Sequence, residues 1–160
     1  MTLCSPCLIA SKNPAPQQIL FCGFGQVSEA SAQAFIRRRF PVDRLSALTD
    51  KACRYDAARA LGVDATQIKA LTAASIVDHV GSGTAQLMVD VGDDTRLVRM
   101  LLLLKQHRPE MKVAAVAVDP SVSRTLSLHG MSDLVCIPQL AGLLLAQSVI
   151  QPPAKPRRLQ

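Results

Sequence analysis

The chain has 160 residues, of which 49% are hydrophobic and 19% charged, a composition typical of one globular domain and unlike that of a disordered chain. Aromatic residues make up only 3% and tryptophan is absent, so an aliphatic core is expected, as in a parallel sheet covered by helices. The same shortage argues against a nucleic-acid partner bound by base stacking. No apolar run reaches the roughly 18 residues of a membrane span, and the N-terminus lacks a signal-peptide pattern, which predicts a cytoplasmic protein.

Positive charge is concentrated in two places, within a net charge of +6. Three arginines occupy positions 37–39, at the end of a predicted helix, where cations complement the helix dipole. Three more basic residues lie within the last six positions. The favoured interpretation is solvated charge at a helix end and in a tail, and the alternative is contact with an acidic membrane surface or nucleic acid.

The two ends of the chain differ in composition from its middle. Residues 1–17 predict a flexible arm and residues 151–160 a Pro-rich basic tail, which leaves a single domain over residues 18–150. Cys4 and Cys7 lie in the arm. Their spacing leaves a redox pair or half of a zinc site open, although no second pair of metal ligands is visible.

Between these ends, predicted strands alternate with predicted helices. Strands are predicted at 19–22, 45–49, 85–91, 112–118 and 134–137. Helices are predicted at 26–39, 51–61, 94–107, 120–130 and 138–150. Residues 63–83 are less regular and leave room for a further strand and a short helix. The alternation predicts an α/β fold, a Rossmann-like doubly wound parallel sheet of about six strands with helices on both faces. Cys22 and Cys136 then fall within strands, as buried thiols.

The most informative stretch joins the first predicted strand to the first predicted helix. Gly23 there permits a sharp turn off the strand, and Gly25, which has no Cβ, lets a pyrophosphate approach the backbone. Free N–H groups at the start of the following helix are suited to phosphates. Ser28 stands where the third glycine of the G-x-G-x-x-G pattern is expected, and it is small enough for close helix–strand packing. The helical spacing of Val27, Ala30 and Ala34 predicts that these residues form the face of the helix that packs on the sheet.

The late helices carry more leucine than one apolar face needs. Leu97, Met100, Leu101 and Leu104 form one face of the 94–107 helix, whereas Leu102 and Leu103 fall outside it. The 138–150 helix shows the same excess. A homodimer that buries these second faces is the favoured interpretation, and apolar residues without a partner are the alternative.

These motifs, in this order, resemble the N-terminal nucleotide-binding (TrkA-N) domain of the Trk/Ktn group, the RCK domains that regulate potassium channels, transporters and efflux systems. The resemblance covers about residues 19–150. It rests on Ile19-Leu-Phe-Cys-Gly-Phe-Gly, Met88-Val-Asp-Val-Gly-Asp-Asp, Arg108-Pro-Glu-Met-Lys-Val-Ala-Ala-Val-Ala-Val-Asp-Pro and Leu128-His-Gly-Met-Ser-Asp-Leu-Val-Cys-Ile-Pro.

The resemblance implies a Rossmann fold, a homodimer through helices about 94–107 and 138–150, and binding of NAD(H) or of AMP, ADP or ATP. It also implies regulation of a membrane potassium or cation transport protein without catalysis, at the inner face of the membrane through that partner. By position, the phosphates would lie along Gly23, Phe24, Gly25, Gln26 and Val27, beside Ser28. Asp50, or Thr49 one residue earlier, would hold the ribose hydroxyls. The adenosine would lie near Val91, Gly92 and Asp93.

Three departures from the family pattern leave two further functions open. Ser28 replaces the third glycine, Ala70-Leu-Thr-Ala is the nearest match to the Gly-Asp-Ala/Thr segment after the third strand, and Val116 stands at a position that is often basic. One alternative is therefore a degenerate Rossmann dimerisation module that binds no ligand. The other is the cofactor domain of a small NAD-dependent oxidoreductase. The sequence argues against it, because no set of catalytic residues can be recognised.

Other polar residues have structural interpretations. Asp94 and Asp119 each precede a predicted helix and are expected to cap it, although Asp93 with Asp94 could also form paired carboxylates or a magnesium site. His107 and His129 fall near helix C-termini, where a partly positive imidazole is favourable. No metal site and no catalytic residue is predicted.

Overall fold

In a computed structural model of the chain, residues 18–81, 86–131 and 133–150 are described, with side chains to Ser148. The strands are β1 (Ile19–Cys22), β2 (Leu45–Thr49), β3 (Asp64–Gln67), β4 (Gln86–Val89), β5 (Val113–Ala117) and β6 (Asp133–Cys136). The helices are α1 (Gln26–Arg37), α2 (Ala52–Ala60), α3 (Ala73–Val80), α4 (Asp94–His107), α5 (Pro120–Leu128) and α6 (Ile137–Ile150), with a 3-10 turn at Val42–Arg44. The predicted arm and tail, including Cys4 and Cys7, lie outside the described residues.

All six strands form one parallel sheet in the order β3-β2-β1-β4-β5-β6. Ile19 of β1 pairs with Leu45 of β2 on one side and with Gln86 of β4 on the other. The chain therefore winds outward from β1 in both directions, which confirms the predicted doubly wound α/β fold. The irregular stretch 63–83 supplies β3 and α3, the strand and the short helix for which the sequence left room.

The sheet separates two apolar clusters because side chains alternate along each strand. Ile19 and Phe21 of β1 belong to the cluster that α1 and α2 cover. Leu20 and Cys22 belong to the other cluster, beneath α3, α4 and α5. Burial raises the pKa of the Cys22 thiol to about 12, so this sulfur stays protonated at neutral pH. Cys136 is also buried, so both predictions of buried thiols are confirmed.

The predicted packing face of α1 is wrong. Ala30 and Ala34 are exposed, and the residues that the helix buries are Ser28 and Ala32, with Phe35 and Ile36 packed partly against the core. Positions 28, 32, 35 and 36 follow the helical repeat as well as the predicted face does. The two large side chains at 35 and 36 determine which face turns inward because they bury the most apolar area.

The apolar face of α4 matches the prediction, whereas α6 buries none of its described side chains. In α4, the buried residues are Leu97, Met100, Leu101 and Leu104. Leu102 and Leu103 are 41% and 37% exposed. Every described side chain of α6 is exposed, including four leucines that are 46–68% accessible. Among the described residues, no helix is long and apolar enough to cross a membrane.

The contribution of the core can be tested with two leucines of α5. Leu126 is fully buried, whereas Leu128 is 82% exposed. Leu126→Ala should lower the free energy of unfolding by about 2–5 kcal/mol, because it removes buried methyl groups and leaves a cavity. Leu128→Ala, the matched control, should change it by less than about 0.5 kcal/mol. Urea denaturation followed by circular dichroism measures both, and equal effects would contradict the described orientation of α5.

Candidate functional site at the carboxyl edge of the sheet

The residues predicted to bind a nucleotide follow three adjacent strands at one edge of the sheet. Gly23 to Gly25 follow β1, Asp50 follows β2, and Val91 to Asp93 lie just beyond β4. The strand order reverses between β1 and β4, and a doubly wound sheet binds ligands in the crevice at such a switch point. This crevice between the ends of β1 and β4 is the candidate site, and the segments predicted to bind a nucleotide lie at it or next to it.

Gly23 makes the turn that the sequence predicted. Its φ is +99°, and a Cβ at this position would lie 2.5 Å from the carbonyl oxygen of Asp90. The N–H of Gly23 donates to the carbonyl oxygen of Leu48, at 2.9 Å. Phe24 also has a positive φ, of 35°, and its buried ring meets Phe21 edge to face with centroids 5.4 Å apart. The backbone of the turn is therefore fixed by contacts with β2, β4 and the core.

Because Gly25 has no side chain, a space is left beside α1, and the side chain of Asp90 fills this space. A Cβ on Gly25 would lie 2.6–2.7 Å from both carboxylate oxygens of Asp90. Asp90 is only 6% exposed, and its Oδ2 accepts a hydrogen bond from the N–H of Ser28, at 3.0 Å. Gln26 and Val27 form the first turn of α1 beside it. A negative carboxylate thus lies at the amino end of α1, where the helix dipole favours an anion.

Ser28 occupies the position of the third glycine and is fully buried, in keeping with the expectation of close helix–strand packing. Its hydroxyl oxygen has no hydrogen-bond partner among the described residues. A buried hydroxyl without a partner costs free energy. Ser28, whose N–H donates to the Asp90 carboxylate, therefore also has a hydroxyl without a partner among the described residues.

Arg54 of α2 lies across the crevice. Its Nη1 donates to the carbonyl oxygen of Gly23 at 2.5 Å and to that of Asp90 at 3.2 Å. A Cβ on Gly92, which has a φ of +75°, would lie 3.4 Å from Nη2 of Arg54. The guanidinium consequently bridges the ends of β1 and β4 and contacts the segment after β4.

Asp50 forms an ion pair with Arg96 of α4, at 2.5 Å. Arg96 also donates to the carbonyl oxygen of Leu71, whose N–H donates to Asp50. Burial acts to raise the pKa of the Asp50 carboxyl, but the hydrogen bonds from Arg96 and Leu71 and the charge of Arg96 outweigh it, so the pKa lies below its usual value. Thr49, the alternative position, is fully buried, and its hydroxyl accepts from the N–H of Lys51.

The segment after β4 contains Val91 and Asp93, which were predicted to lie near the adenosine, and Asp94, which was predicted to cap α4. Val91 is buried in the core, and exposed Asp93 is the cap of α4, accepting from the N–H groups of Thr95 and Arg96. The prediction that Asp94 caps this helix is wrong, because Asp94 is the first helical residue. Its carboxylate instead accepts from the N–H groups of Val118 and Asp119.

The predicted positions of Asp119, His107 and His129 at helix ends are confirmed. Asp119 caps α5 by accepting from the N–H of Ser121, with Pro120 in the first turn. His107 lies in the last turn of α4, and His129 ends α5. Within the described ranges, no group of three or more His, Cys, Asp or Glu residues could hold a metal ion.

Sequence reasoning missed the roles of Asp90 and Arg54. Asp90 carried a signal, because it is a charged residue directly after an apolar strand, in one of the segments on which the family resemblance rests. Arg54 carried none, since an arginine in the first turn of a helix is ordinary at a solvated surface. Only the fold brings its guanidinium over the turn at Gly23.

A cavity of about 200 Å³ lies at the opposite edge of the sheet, between the end of α4 and the starts of β5 and β6. Lys105, Lys112, Glu110 and Asp133 are among its lining residues. Ligands of doubly wound sheets bind at the carboxyl edge, so the crevice is the stronger candidate.

The strand order and the glycine turn define a Rossmann-like α/β domain. No family model and no curated protein matches the chain. Among solved structures, it is similar to the TrkA-N domain of the inner membrane protein ybaL from Escherichia coli, with a TM-score of 0.67 and 16% identity over 85% of this chain and 98% of that one. It is also similar to the NAD(P)-binding domain of an exopolyphosphatase-related protein from Archaeoglobus fulgidus, with a TM-score of 0.66 and 10% identity over 84% and 97% of the two chains. These likenesses confirm the fold that the resemblance to the Trk/Ktn group predicted.

The ion pair at the crevice predicts a pH dependence. Because the folded-state pKa of Asp50 is lowered, the pair stabilises the fold above the unfolded pKa of about 4, and this stability is lost as the pH falls through the lower folded-state pKa. Asp50→Asn should lower the free energy of unfolding by roughly 1–2 kcal/mol at pH 7, and the difference from wild type should shrink at acidic pH. Urea denaturation between pH 7 and pH 3 measures this.

Asp56→Asn, at an exposed position of α2, is the control and should stay within about 0.5 kcal/mol of wild type at each pH. A difference between wild type and Asp50→Asn that does not change with pH would contradict the ion pair.

Proposed function

We propose that the chain is a regulatory domain that binds an adenine nucleotide, NAD(H) or AMP, ADP or ATP, in the crevice between β1 and β4, and that it has no catalytic activity. The observation that carries the proposal is the turn from Gly23 to Gly25 at the switch point of the sheet, with Asp50 beyond the neighbouring strand. A tight turn followed by a helix N-terminus is the arrangement with which doubly wound folds hold phosphates.

The nucleoside half of such a ligand fits the residues present. Asp50 is partly exposed at the end of β2, where an acidic side chain of a Rossmann domain accepts from ribose hydroxyls. On binding, the ribose hydroxyls would replace Arg96 as the donors to the Asp50 carboxylate, which would therefore stay hydrogen-bonded. The phosphate half fits less well, because the Asp90 carboxylate already lies at the amino end of α1.

The absence of catalysis is supported by the way in which the crevice uses its charged groups. Asp50 is paired with Arg96, and Arg54 donates to two backbone carbonyl groups. Asp90 accepts from the N–H of Ser28. A general acid or base needs to reach a reacting atom, whereas each of these side chains contacts the domain itself.

We further propose that the regulated partner is a membrane potassium or cation transport protein, and that the domain acts at the inner face of the membrane. The support is the resemblance to the Trk/Ktn group and the likeness to a TrkA-N domain of an inner membrane protein. Asp50 and Arg96 give a physical route for a signal, because they connect the crevice directly to α4.

Nucleotide binding can be tested by thermal-shift titration with NAD, NADH, ATP, ADP and AMP, with GTP as the base control. A ligand at about 100 times its Kd should stabilise the fold by roughly 2.7 kcal/mol. Asp50→Ala should abolish the shift, measured against its own ligand-free Tm, because it removes the ribose acceptor. Asp64→Ala, exposed at the amino end of β3, should retain the shift. No shift at millimolar concentration in wild type would contradict the proposal.

A second copy of the chain is the proposed cover for α4 and α6. The sequence of α6 contains no acidic or basic residue, and all its described side chains are exposed. Leu102 and Leu103 of α4 are exposed as well. An apolar helix with no charged face is unfavourable in water, so burial between two chains would stabilise it.

Light scattering after size-exclusion chromatography tests the homodimer. Wild type should have twice the 17.2 kDa mass of the chain. Leu144→Glu and Leu103→Glu should each shift the mass toward 17.2 kDa, because a carboxylate in an apolar interface pays a large desolvation cost. Leu128→Glu, on an exposed position of α5, is the control and should remain dimeric. A monomeric wild type at high micromolar concentration would contradict the proposal.

A degenerate dimerisation module without a ligand is the second candidate function. The observation that favours it is the Asp90 carboxylate in the space that Gly25 leaves open. The two candidates share the dimer and differ in whether a nucleotide binds, so the titration above separates them.

A further inference from the structure

We propose that Asp90 is an internal competitor for the phosphate of a nucleotide, and that it lowers the affinity of the crevice for phosphate-bearing ligands. This inference rests on the proposed function for the location of the ligand. It goes beyond that function because it names the side chain that opposes binding.

The carboxylate of Asp90 lies beside Gly25. Both oxygens of Asp90 lie 2.6–2.7 Å from the position that a Cβ on Gly25 would take, and Oδ2 accepts from the N–H of Ser28. In a doubly wound fold this glycine is free of a side chain so that a pyrophosphate can approach. Here the same space holds an anion that belongs to the chain.

The charge of the Asp90 carboxylate opposes the binding of a phosphate. A carboxylate and a phosphate would both be negative, and both require the free N–H groups at the amino end of α1. They cannot occupy one space, and side by side they repel each other. A phosphate therefore binds either in place of the Asp90 carboxylate or against its repulsion, and both lower the affinity.

Two further donors, the Ser28 hydroxyl and the Arg54 guanidinium, lie near the turn from Gly23 to Gly25. Ser28 is fully buried, and its hydroxyl has no partner among the described residues. The Arg54 guanidinium lies beside the turn, where it donates to Gly23 and to the backbone of Asp90. Substitution of Asp90 would free the N–H of Ser28, which is a donor that a phosphate can use, close to the Arg54 guanidinium.

The test compares Asp90→Ala and Asp90→Asn with wild type. Asp90→Ala opens the space and removes the charge, whereas Asp90→Asn removes the charge and keeps an oxygen that can accept from Ser28. The second variant secures the test if the first does not fold. Asp64→Ala is the matched control, since it removes one negative charge at the opposite edge of the sheet. Inorganic pyrophosphate, ADP and adenosine are the probes, followed by isothermal titration and thermal shift.

Pyrophosphate and ADP should bind at least one folded Asp90 variant about tenfold more tightly than wild type or Asp64→Ala, which corresponds to about 1.4 kcal/mol. Adenosine, which has no phosphate, should bind all four proteins equally or none of them. This selectivity separates competition from a general loosening of the structure, which would change the affinity for adenosine as well.

The inference is overturned if the folded Asp90 variants gain no affinity for pyrophosphate, whichever nucleotides wild type binds. It is also overturned if the affinity for adenosine rises as much as that for pyrophosphate. A gain for pyrophosphate with no binding of ADP or adenosine by any of the proteins would support the inference and refute the proposed nucleotide function.

Discussion

The contact between Asp90 and the turn at Gly23 and Gly25 is the constraint on which the carboxyl edge of the sheet depends. β1 and β4 are neighbours, and the carbonyl group of Asp90 lies so close to Gly23 that no other residue fits there. Its carboxylate fills the space beside Gly25 and caps α1. The two glycines are therefore required by the packing of this chain itself. A glycine turn at a switch point is evidence of close approach, and the approaching group can be a ligand or a side chain.

Three further polar contacts hold the loops of this edge together. Arg54 bridges the ends of β1 and β4, and Asp50 joins β2 to Arg96 of α4. Asp94 at the start of α4 accepts from the backbone after β5. The start of α4 is thus linked to the loops that follow β2, β3 and β5, and the same helix presents Leu102 and Leu103 on its outer surface. A ligand that displaced Arg96 from Asp50 would act directly on the helix that is proposed to contact a second copy. A regulatory domain requires such a difference between its bound and free states.

The sequence predicted the fold well because its signals are local. Strands β1 and β2 have the predicted bounds, as does α4, since apolar runs end there at Gly, Pro or Asp. The buried face of α4 was also predictable from its repeat. The face of α1 was not, because small and large side chains offered two helical stripes and only the packing of Phe35 and Ile36 distinguishes them.

The site was only partly predictable. The positions of Gly23 and Gly25 followed from the motif, and the place of Asp50 followed from the end of β2. The roles of Asp90 and Arg54 depend on residues between about thirty and sixty positions away in the chain, and no local pattern contains that information. Asp93 and Asp94 show the same limit at short range. The cap of α4 is the first of the two carboxylates, because the second is aimed at the loop after β5.

The most direct test of a nucleotide site at this edge is NMR on isotope-labelled wild type during titration with ADP, because chemical shifts detect weak binding residue by residue. The largest changes should fall on the amides of Gly23, Gly25 and Ser28 and on those of Asp90 and Gly92, since the phosphate must displace the Asp90 carboxylate from the Ser28 N–H. Changes confined to the cavity lined by Lys105 and Lys112, or no change at millimolar ADP, would contradict a nucleotide site at the carboxyl edge.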